Sequence, residues 1–168
     1  MPRIDGLRVP HDFYWIFSDP VPLAGMAFPS WPPMWQRLFT LGFRHVVCLT
    51  HDRPPYDPSP LSILFSVQME DLIGQPQPLD PAGEARRVEG AVAAALSRLG
   101  LGEGVIVHCA AGTGRTGTVL GCMLRRLGMP GRETIRYLDR VNRQRGQDGW
   151  PESPWQAAMV EWFSQLPE

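Results

Sequence analysis

The chain has 168 residues, of which 43% are hydrophobic and 20% charged, a balance typical of one globular domain with its own core. All 16 basic residues are arginine and nearly cancel 17 acidic residues, and this net charge of −1 argues against a general nucleic-acid or anionic-membrane binder. No run approaches the length of a transmembrane helix, no secretory signal is visible, and three cysteines do not make a disulfide framework. We therefore expect a single cytoplasmic domain over residues 1–168, monomeric, with no nucleic-acid or membrane partner.

The first half of the chain alternates short apolar runs with proline-rich segments. Residues 1–33 predict an irregular segment with one short apolar run at Tyr14–Phe17. A short helix is expected at Trp35–Leu41. Compact apolar runs then predict a buried strand at His45–Thr50 and another at Leu61–Val67.

The second half has the pattern of amphipathic helices around one more strand. Pro81 is placed to begin a helix that runs to about Leu99, because apolar residues recur there at three- and four-residue steps. An apolar strand follows at Gly104–His108. Three further helices are expected at Arg115–Leu127, Glu133–Arg145 and Pro154–Leu166. Strands alternating with helices indicate an α/β domain with a mostly parallel central sheet flanked by helices, whose ligands bind beyond the carboxyl ends of the strands.

The segment that carries chemistry joins the strand ending at His108 to the following helix. Cys109 is followed by five small residues and an arginine, a composition that lets the loop curl so that its backbone N–H groups face inward and bind an anion. The helix N-terminus adds a positive dipole, and both effects favour the nucleophilic thiolate of Cys109. Arg115 supplies a planar guanidinium able to bind two phosphoryl oxygens. The sequence therefore predicts a phosphate-binding loop made of Ala110, Ala111, Gly112, Thr113, Gly114 and Arg115.

Two other phosphate-binding motifs share these glycines. The run from Gly112 to Gly117 matches the dinucleotide pattern G-x-G-x-x-G. Too little chain follows it for the remaining strands of that fold, and no acidic residue closes a second strand at the required distance. A Walker A loop is excluded because Arg115 stands where its lysine is needed.

The pattern His-Cys-x5-Arg-Thr-Gly between a strand and a helix resembles the cysteine-dependent protein tyrosine phosphatase superfamily, and the short length resembles its small atypical dual-specificity members. Leu23–Pro29 is similar to the Leu-Ala-Gly stretch of those proteins, and Gly42–Val47 is similar to the run before their first buried strand. The resemblance covers most of the chain. It implies hydrolysis of phosphomonoesters, phosphotyrosine and phosphoserine/threonine in proteins, through a covalent phosphocysteine and without a metal or other cofactor.

The resemblance also implies roles for residues outside the loop. Relatives use a general acid from a separate loop, for which Asp71 is the candidate and Glu70 the nearest rival; the family's Trp-Pro-Asp pattern is not kept here. Thr116 matches the hydroxyl residue that hydrogen-bonds the cysteine sulfur, its alternative role being a helix-terminal residue that binds backbone. Gln156 matches a glutamine that orients the hydrolytic water, its alternative being a plain surface residue. His108 is expected to support the loop structurally.

The substrate and the reaction class leave alternatives open. Lipid phosphatases of the superfamily carry lysines within the loop, whereas this chain has Ala110, Ala111 and Thr113, which disfavours a polyphosphorylated inositol headgroup. A small phosphorylated metabolite, a nucleotide or a lipid is the alternative substrate. A non-catalytic phospho-binding module and a sulfurtransferase or arsenate reductase are alternatives of other classes, and the presence of both Arg115 and Asp71 favours phosphate-ester chemistry over them.

Overall fold

The computed structural model describes residues 3–30 and 34–163 of the chain, and its strands form one sheet. In chain order the strands are β1 (Phe13–Phe17), β2 (Leu23–Met26), β3 (Phe43–Cys48), β4 (Ser62–Ser66) and β5 (Gly104–His108). Their order across the sheet is β1-β2-β5-β3-β4. The β1–β2 pair is antiparallel and the other pairs are parallel, so the predicted α/β class with a mostly parallel sheet is confirmed.

Helices cover both faces of this sheet. They are α1 (Trp35–Thr40), α2 (Pro81–Gly100), α3 (Gly114–Arg126), α4 (Gly131–Gln144) and α5 (Pro154–Glu161). Residues of α2 to α5 pack in one apolar cluster, while α1 packs with residues of the N-terminal segment in a second cluster on the other face. Among the described residues, no helix has the length and apolar character needed to cross a membrane.

Strand β5 lies in the middle of the sheet because it is apolar on both faces. Val105 and Val107 belong to the cluster beneath α2 to α5, and Ile106 between them belongs to the opposite cluster. Alternating side chains of a strand point to opposite faces, so only a continuous apolar run suits this position. The chain leaving β5 therefore emerges at the centre of the carboxyl edge of the sheet, where sites of this fold class lie.

Four elements differ from the sequence prediction by more than one residue. The segment expected to be irregular contains β2, because its short proline-free run pairs with β1 on one side and β5 on the other, partners that local sequence does not reveal. Strand β3 begins and ends two residues before the predicted His45–Thr50, in register with β5. Helix α4 begins at Gly131, two residues early. Helix α5 ends at Glu161, and the predicted end at Leu166 lies outside the described residues.

Replacing Gly25 of β2 tests the packing between the first two strands. A Cβ at Gly25 would lie 2.2 Å from Cζ of Tyr14, a ring that is itself buried. We expect Gly25→Ala to lower the free energy of unfolding by about 1–3 kcal/mol, measured by urea denaturation, because the ring has to move within a packed core. The control is Gly100→Ala, where a Cβ meets nothing within 4 Å. Equal stability of the two variants would contradict this packing.

Candidate active site

The loop that follows β5 has its carbonyl oxygens bonded to the surrounding protein. Those of Ala110, Ala111, Gly112 and Gly114 accept hydrogen bonds from Phe28 N (2.8 Å), Arg145 Nη2 (2.7 Å), Tyr14 Oη (2.6 Å) and Trp150 Nε1 (3.3 Å), respectively. In contrast, the backbone N–H groups from Ala110 to Thr113 donate to no protein group among the described residues. Backbone N–H groups without a protein partner bind water or another acceptor. The loop is thus a set of free donors, the arrangement that binds an anion.

Arg145 holds the back of this loop. Its side chain is 1% exposed. Besides the carbonyl of Ala111, the guanidinium donates to Gly112 O (3.0 Å), Thr113 Oγ1 (3.2 Å), Asn142 Oδ1 (2.7 Å), His11 O (2.9 Å) and Pro10 O (3.1 Å). It also lies over the Tyr14 ring, 4.2 Å from its centroid. No carboxylate among the described residues forms an ion pair with it, so its positive charge favours an anion in the loop.

Gly112 lets the loop turn against strand β2. Its φ is +76°, a left-handed conformation that favours glycine. A Cβ at this position would also lie 2.7 Å from the backbone oxygen of Met26. Both backbone conformation and space therefore require glycine here, and the close contact sets the distance between the loop and β2.

The cleft in front of the loop brings together most of the residues singled out from sequence. It has a volume of about 40 Å³ and is lined by Asp71, Leu72, Ile73, Cys109, Ala110, Ala111, Arg115, Glu152 and Gln156. Cys109 is largely buried at its floor. Arg115 lies in the first turn of α3 and donates from Nη1 to the carbonyl of Met69 (3.3 Å), which joins it to the segment that carries Asp71.

Of the two candidate acids, the structure places Asp71 in the cleft and holds Glu70 elsewhere. Glu70 accepts from the backbone N–H groups of Leu79 (2.8 Å) and Asp80 (3.2 Å), so both of its oxygens brace the start of α2. Asp71 uses only Oδ1, which accepts from Ile73 N at 3.1 Å. Its other oxygen accepts no hydrogen bond from the described residues, and the residue lines the cleft.

Thr116 and Gln156 are both buried, but they differ in their partners. The Thr116 hydroxyl has no hydrogen-bond partner among the described residues, so the expected bond to the Cys109 sulfur is not formed in this structure, and neither is a bond to backbone. Gln156 is not a surface residue. Its Oε1 accepts from Glu152 N at 2.9 Å, which leaves Nε2 as its donor toward the cleft.

His108 contacts both the loop and a neighbouring aromatic residue. One ring nitrogen hydrogen-bonds the Tyr56 hydroxyl, and the other lies 3.2 Å from the carbonyl oxygen of Cys109. On the adjacent strand, Cys48 aligns with His108. Burial raises the pKa of the Cys48 thiol, but hydrogen bonding and charge from His108, with the Thr50 hydroxyl, outweigh it and lower that pKa to about 5. The polar groups of Cys48 and Thr50 thus lie beside His108 at the end of β5, on the side of strand β3.

Sequence reasoning missed Arg145, Tyr14 and Glu152. Arg145 was only the last residue of a predicted helix, Tyr14 belonged to an apolar run, and Glu152 was one acid in a proline-rich turn. Each lies more than 30 positions from Cys109 in the chain or on a separate element, so spacing gives no signal for it. The one local clue was Tyr14, a polar-tipped residue at the start of an apolar run, where the hydroxyl requires a hydrogen-bond partner when it is buried.

Residues 10–146 match the protein family described as "Swiss Army Knife protein, DSP-PTPase phosphatase domain". The match spans more than half of the chain and includes the loop, Asp71 and Arg145. Glu152 and Gln156 lie beyond it.

Solved structures with low sequence identity share the fold. Tk-PTP in its active form is 23% identical, with 92% of this chain and 96% of that chain covered and a TM-score of 0.62. PTPMT1 in complex with PI(5)P is 19% identical, with coverages of 84% and 88% and a TM-score of 0.62. Human DUSP28 is 16% identical, with coverages of 84% and 86% and a TM-score of 0.60. At sequence identities this low, the structural similarity supports a shared fold and nothing further.

Replacing Arg145 tests the support of the loop from behind. Arg145→Lys keeps the charge but loses the planar fork, so several buried carbonyls lose their donor. We expect the free energy of unfolding to fall by about 2–4 kcal/mol and vanadate to bind about ten-fold more weakly, measured by urea denaturation and calorimetry. The control is Arg143→Lys on the exposed side of the same helix. Vanadate affinity equal in both variants would contradict the role of Arg145.

Proposed function

This chain belongs to the DSP-PTPase phosphatase domain family, among the small atypical dual-specificity phosphatases of the cysteine-dependent protein tyrosine phosphatase superfamily, and we propose that its substrates are phosphotyrosine and phosphoserine/threonine in proteins. The observation that carries the chemistry is one small cleft lined by Cys109, Arg115 and Asp71, above a loop whose N–H groups are free. A nucleophile, a phosphoryl-binding cation and a proton donor are the groups that phosphomonoester hydrolysis needs.

The reaction takes two steps at this cleft. Cys109 attacks phosphorus, the bond from phosphorus to the leaving oxygen breaks, and Asp71 gives that oxygen a proton. Water then attacks the phosphocysteine, Asp71 takes a proton from it, and the sulfur leaves as thiolate. Arg115 and the loop N–H groups hold the equatorial oxygens throughout, where negative charge is concentrated in the transition state.

Thr116 and Gln156 serve the second step. The Thr116 hydroxyl is buried and has no partner among the described residues, so it is free to donate to the departing thiolate. Gln156 offers its Nε2 group to the attacking water, since its Oε1 already accepts from Glu152 N. Gln156 can orient this water but cannot accept its proton. The carboxylate of Asp71, which lines the same cleft, accepts that proton.

The charge and size of the cleft favour a monoester on a larger molecule. Among the described residues, Arg115 is the one cation in the lining of this cleft, and the chain has no lysine to bind further phosphates. With a volume of about 40 Å³, the cleft takes the phosphoryl group and leaves the rest of the substrate at the rim. That rim includes Ile73, which is 67% exposed and available to an apolar part of a peptide. A site that encloses little beyond phosphate accepts both aryl and alkyl esters.

Replacing Cys109 with serine tests the covalent mechanism. We expect the wild type to hydrolyse p-nitrophenyl phosphate in EDTA and to be inhibited by vanadate. Cys109→Ser should lose turnover by about 10⁴-fold or more, because a serine hydroxyl here lacks a base to activate it. The same variant should still bind tungstate, since the loop N–H groups and Arg115 remain. Turnover retained in Cys109→Ser would disprove the phosphocysteine, and tungstate binding without turnover in the wild type would indicate a binding module.

The same pair of proteins separates the substrate classes. Tyrosine- and serine-phosphorylated peptides, a phosphoinositide in vesicles and a nucleoside monophosphate are offered to the wild type at equal concentration. Phosphate release is expected from both peptides, with kcat/KM above that for the other two compounds. A preference for the phosphoinositide would instead align the chain with PTPMT1, which has been solved with PI(5)P.

Replacing Asp71 tests the general acid. The Asp71→Asn variant cannot donate a proton to the leaving oxygen. The rate of ester cleavage therefore falls most for substrates with a poor leaving group. We expect kcat for a phenylalkyl phosphate to fall by about 10²-fold, with a much smaller loss for p-nitrophenyl phosphate. Glu70→Gln, whose carboxylate faces away from the cleft, is the matched control. Equal losses for both substrates would mean that Asp71 only positions the loop.

A further inference from the structure

A second carboxyl group, that of Glu152, lies in the phosphate cleft. It belongs to the turn between α4 and α5 and lines the cleft together with Cys109, Arg115 and Asp71. Its Oε1 is packed so tightly against the start of α3 that a Cβ at Gly114 would lie 2.1 Å from it. The reaction proposed above assigns no role to this carboxyl group, although it lies where the phosphate-binding loop meets helix α3.

Two hydrogen bonds fix Glu152 next to the segment that carries Asp71. The backbone N–H of Glu152 donates to Gln156 Oε1 (2.9 Å), which ties the turn to α5. The next residue, Ser153, donates from its hydroxyl to Pro76 O (3.0 Å), which ties the turn to the loop that begins with Asp71. The two carboxyl groups are therefore carried on segments that are bonded to each other.

Titratable and charged groups lie near Glu152 on each element around it. They are Asp71 on the acid loop, and Cys109 and Arg115 on the phosphate loop and α3. Asp148 lies on the turn of Glu152 itself, but its carboxylate is exposed and solvent screens its charge. Burial, followed by the charge of Asp71, raises the pKa of Glu152, and the Gly114 amide and Arg115 oppose this only in part. A phosphomonoester dianion adds negative charge to a cleft with one cation, so a neutral carboxylic acid is favoured when it binds.

We propose that Glu152 is a second acid–base residue of the cleft and that its carboxyl group carries a proton while substrate is bound. This rests on the proposed phosphatase reaction. A buried carboxyl group in a cleft that also holds another acid and a bound phosphate keeps its proton to a higher pH than an exposed one. The family pattern by itself provides one acid, and the structure supplies a partner for it.

The proton balance of the reaction is unchanged by the second carboxyl group. In the first step the sulfur–phosphorus bond forms, the bond to the leaving oxygen breaks, and a protonated carboxyl group gives its proton to that oxygen. In the second step the oxygen of water bonds to phosphorus, that carboxyl group takes the proton, and the sulfur–phosphorus bond breaks to return the thiolate.

The pH dependence of kcat/KM with a phenylalkyl phosphate tests this proposal. The general acid has to be protonated in the first step, so an acid with a raised pKa keeps the enzyme active to higher pH. Removing Glu152, whose pKa is raised, therefore moves the basic limb of the profile to lower pH. For Glu152→Gln we expect that limb to shift down by about one pH unit, a roughly ten-fold lower kcat/KM at neutral pH that recovers toward pH 5. Glu152→Asp should restore part of the shift.

The matched control is Asp148→Asn, which removes an exposed carboxylate from the same turn. Its pH profile should coincide with that of the wild type, and thermal melting of all variants separates a loss of folding from a loss of the proton. A profile of Glu152→Gln that matches Asp148→Asn would overturn the proposal and leave the phosphatase function intact.

A binding measurement decides the role of Glu152 even if the wild type hydrolyses none of the substrates. Tungstate is titrated calorimetrically into Cys109→Ser near neutral pH in two buffers of different ionisation heat, which reports the protons taken up on binding. We expect uptake in Cys109→Ser and a loss of that uptake in the Cys109→Ser, Glu152→Gln double variant. Equal uptake in both would show that Glu152 does not gain a proton when an oxyanion enters the cleft.

Discussion

Burying a guanidinium costs several kcal/mol unless oxygen atoms surround it, and Arg145 meets this requirement with the backbone of the phosphate loop. It donates to the carbonyls of Ala111 and Gly112 and lies over the Tyr14 ring. Because these carbonyls are turned toward Arg145, the loop N–H groups from Ala110 to Thr113 are left without partners in the part of the protein that the structure describes. One buried cation thus sets the orientation of the loop and places positive charge behind the anion site, while Arg115 provides the charge in front.

The sheet decides where this loop lies. Strand β5 is central because it is apolar on both faces, and β2 beside it brings Met26 against Gly112. Tyr14 reaches the loop only because β1 pairs with β2, and Gly25 leaves room for its ring. The two N-terminal strands therefore act on the site through packing, although neither contributes a residue that lines the catalytic cleft.

The balance of charge in the cleft shapes its chemistry. Among the described residues that line it, Arg115 is the single cation, and this with the small volume suits one phosphoryl group. Two carboxyl groups, those of Asp71 and Glu152, line the same cleft as Cys109. Proton transfer at the leaving oxygen and at water is what phosphocysteine chemistry requires, and carboxyl groups can perform it.

The local unit of strand β5, loop and helix α3 is predictable from the amino-acid order alone, because an apolar run, small residues and Arg115 at fixed spacing are consecutive in the chain. The same local pattern indicated the phosphatase family, and resemblance to that family indicated Asp71. Strand β2, the burial of Arg145 and the position of Glu152 were decided only by the tertiary structure. The residues that β2, Arg145 and Glu152 contact are distant from them in sequence. A contact depends on distance in space, which the spacing of residues along the chain does not encode.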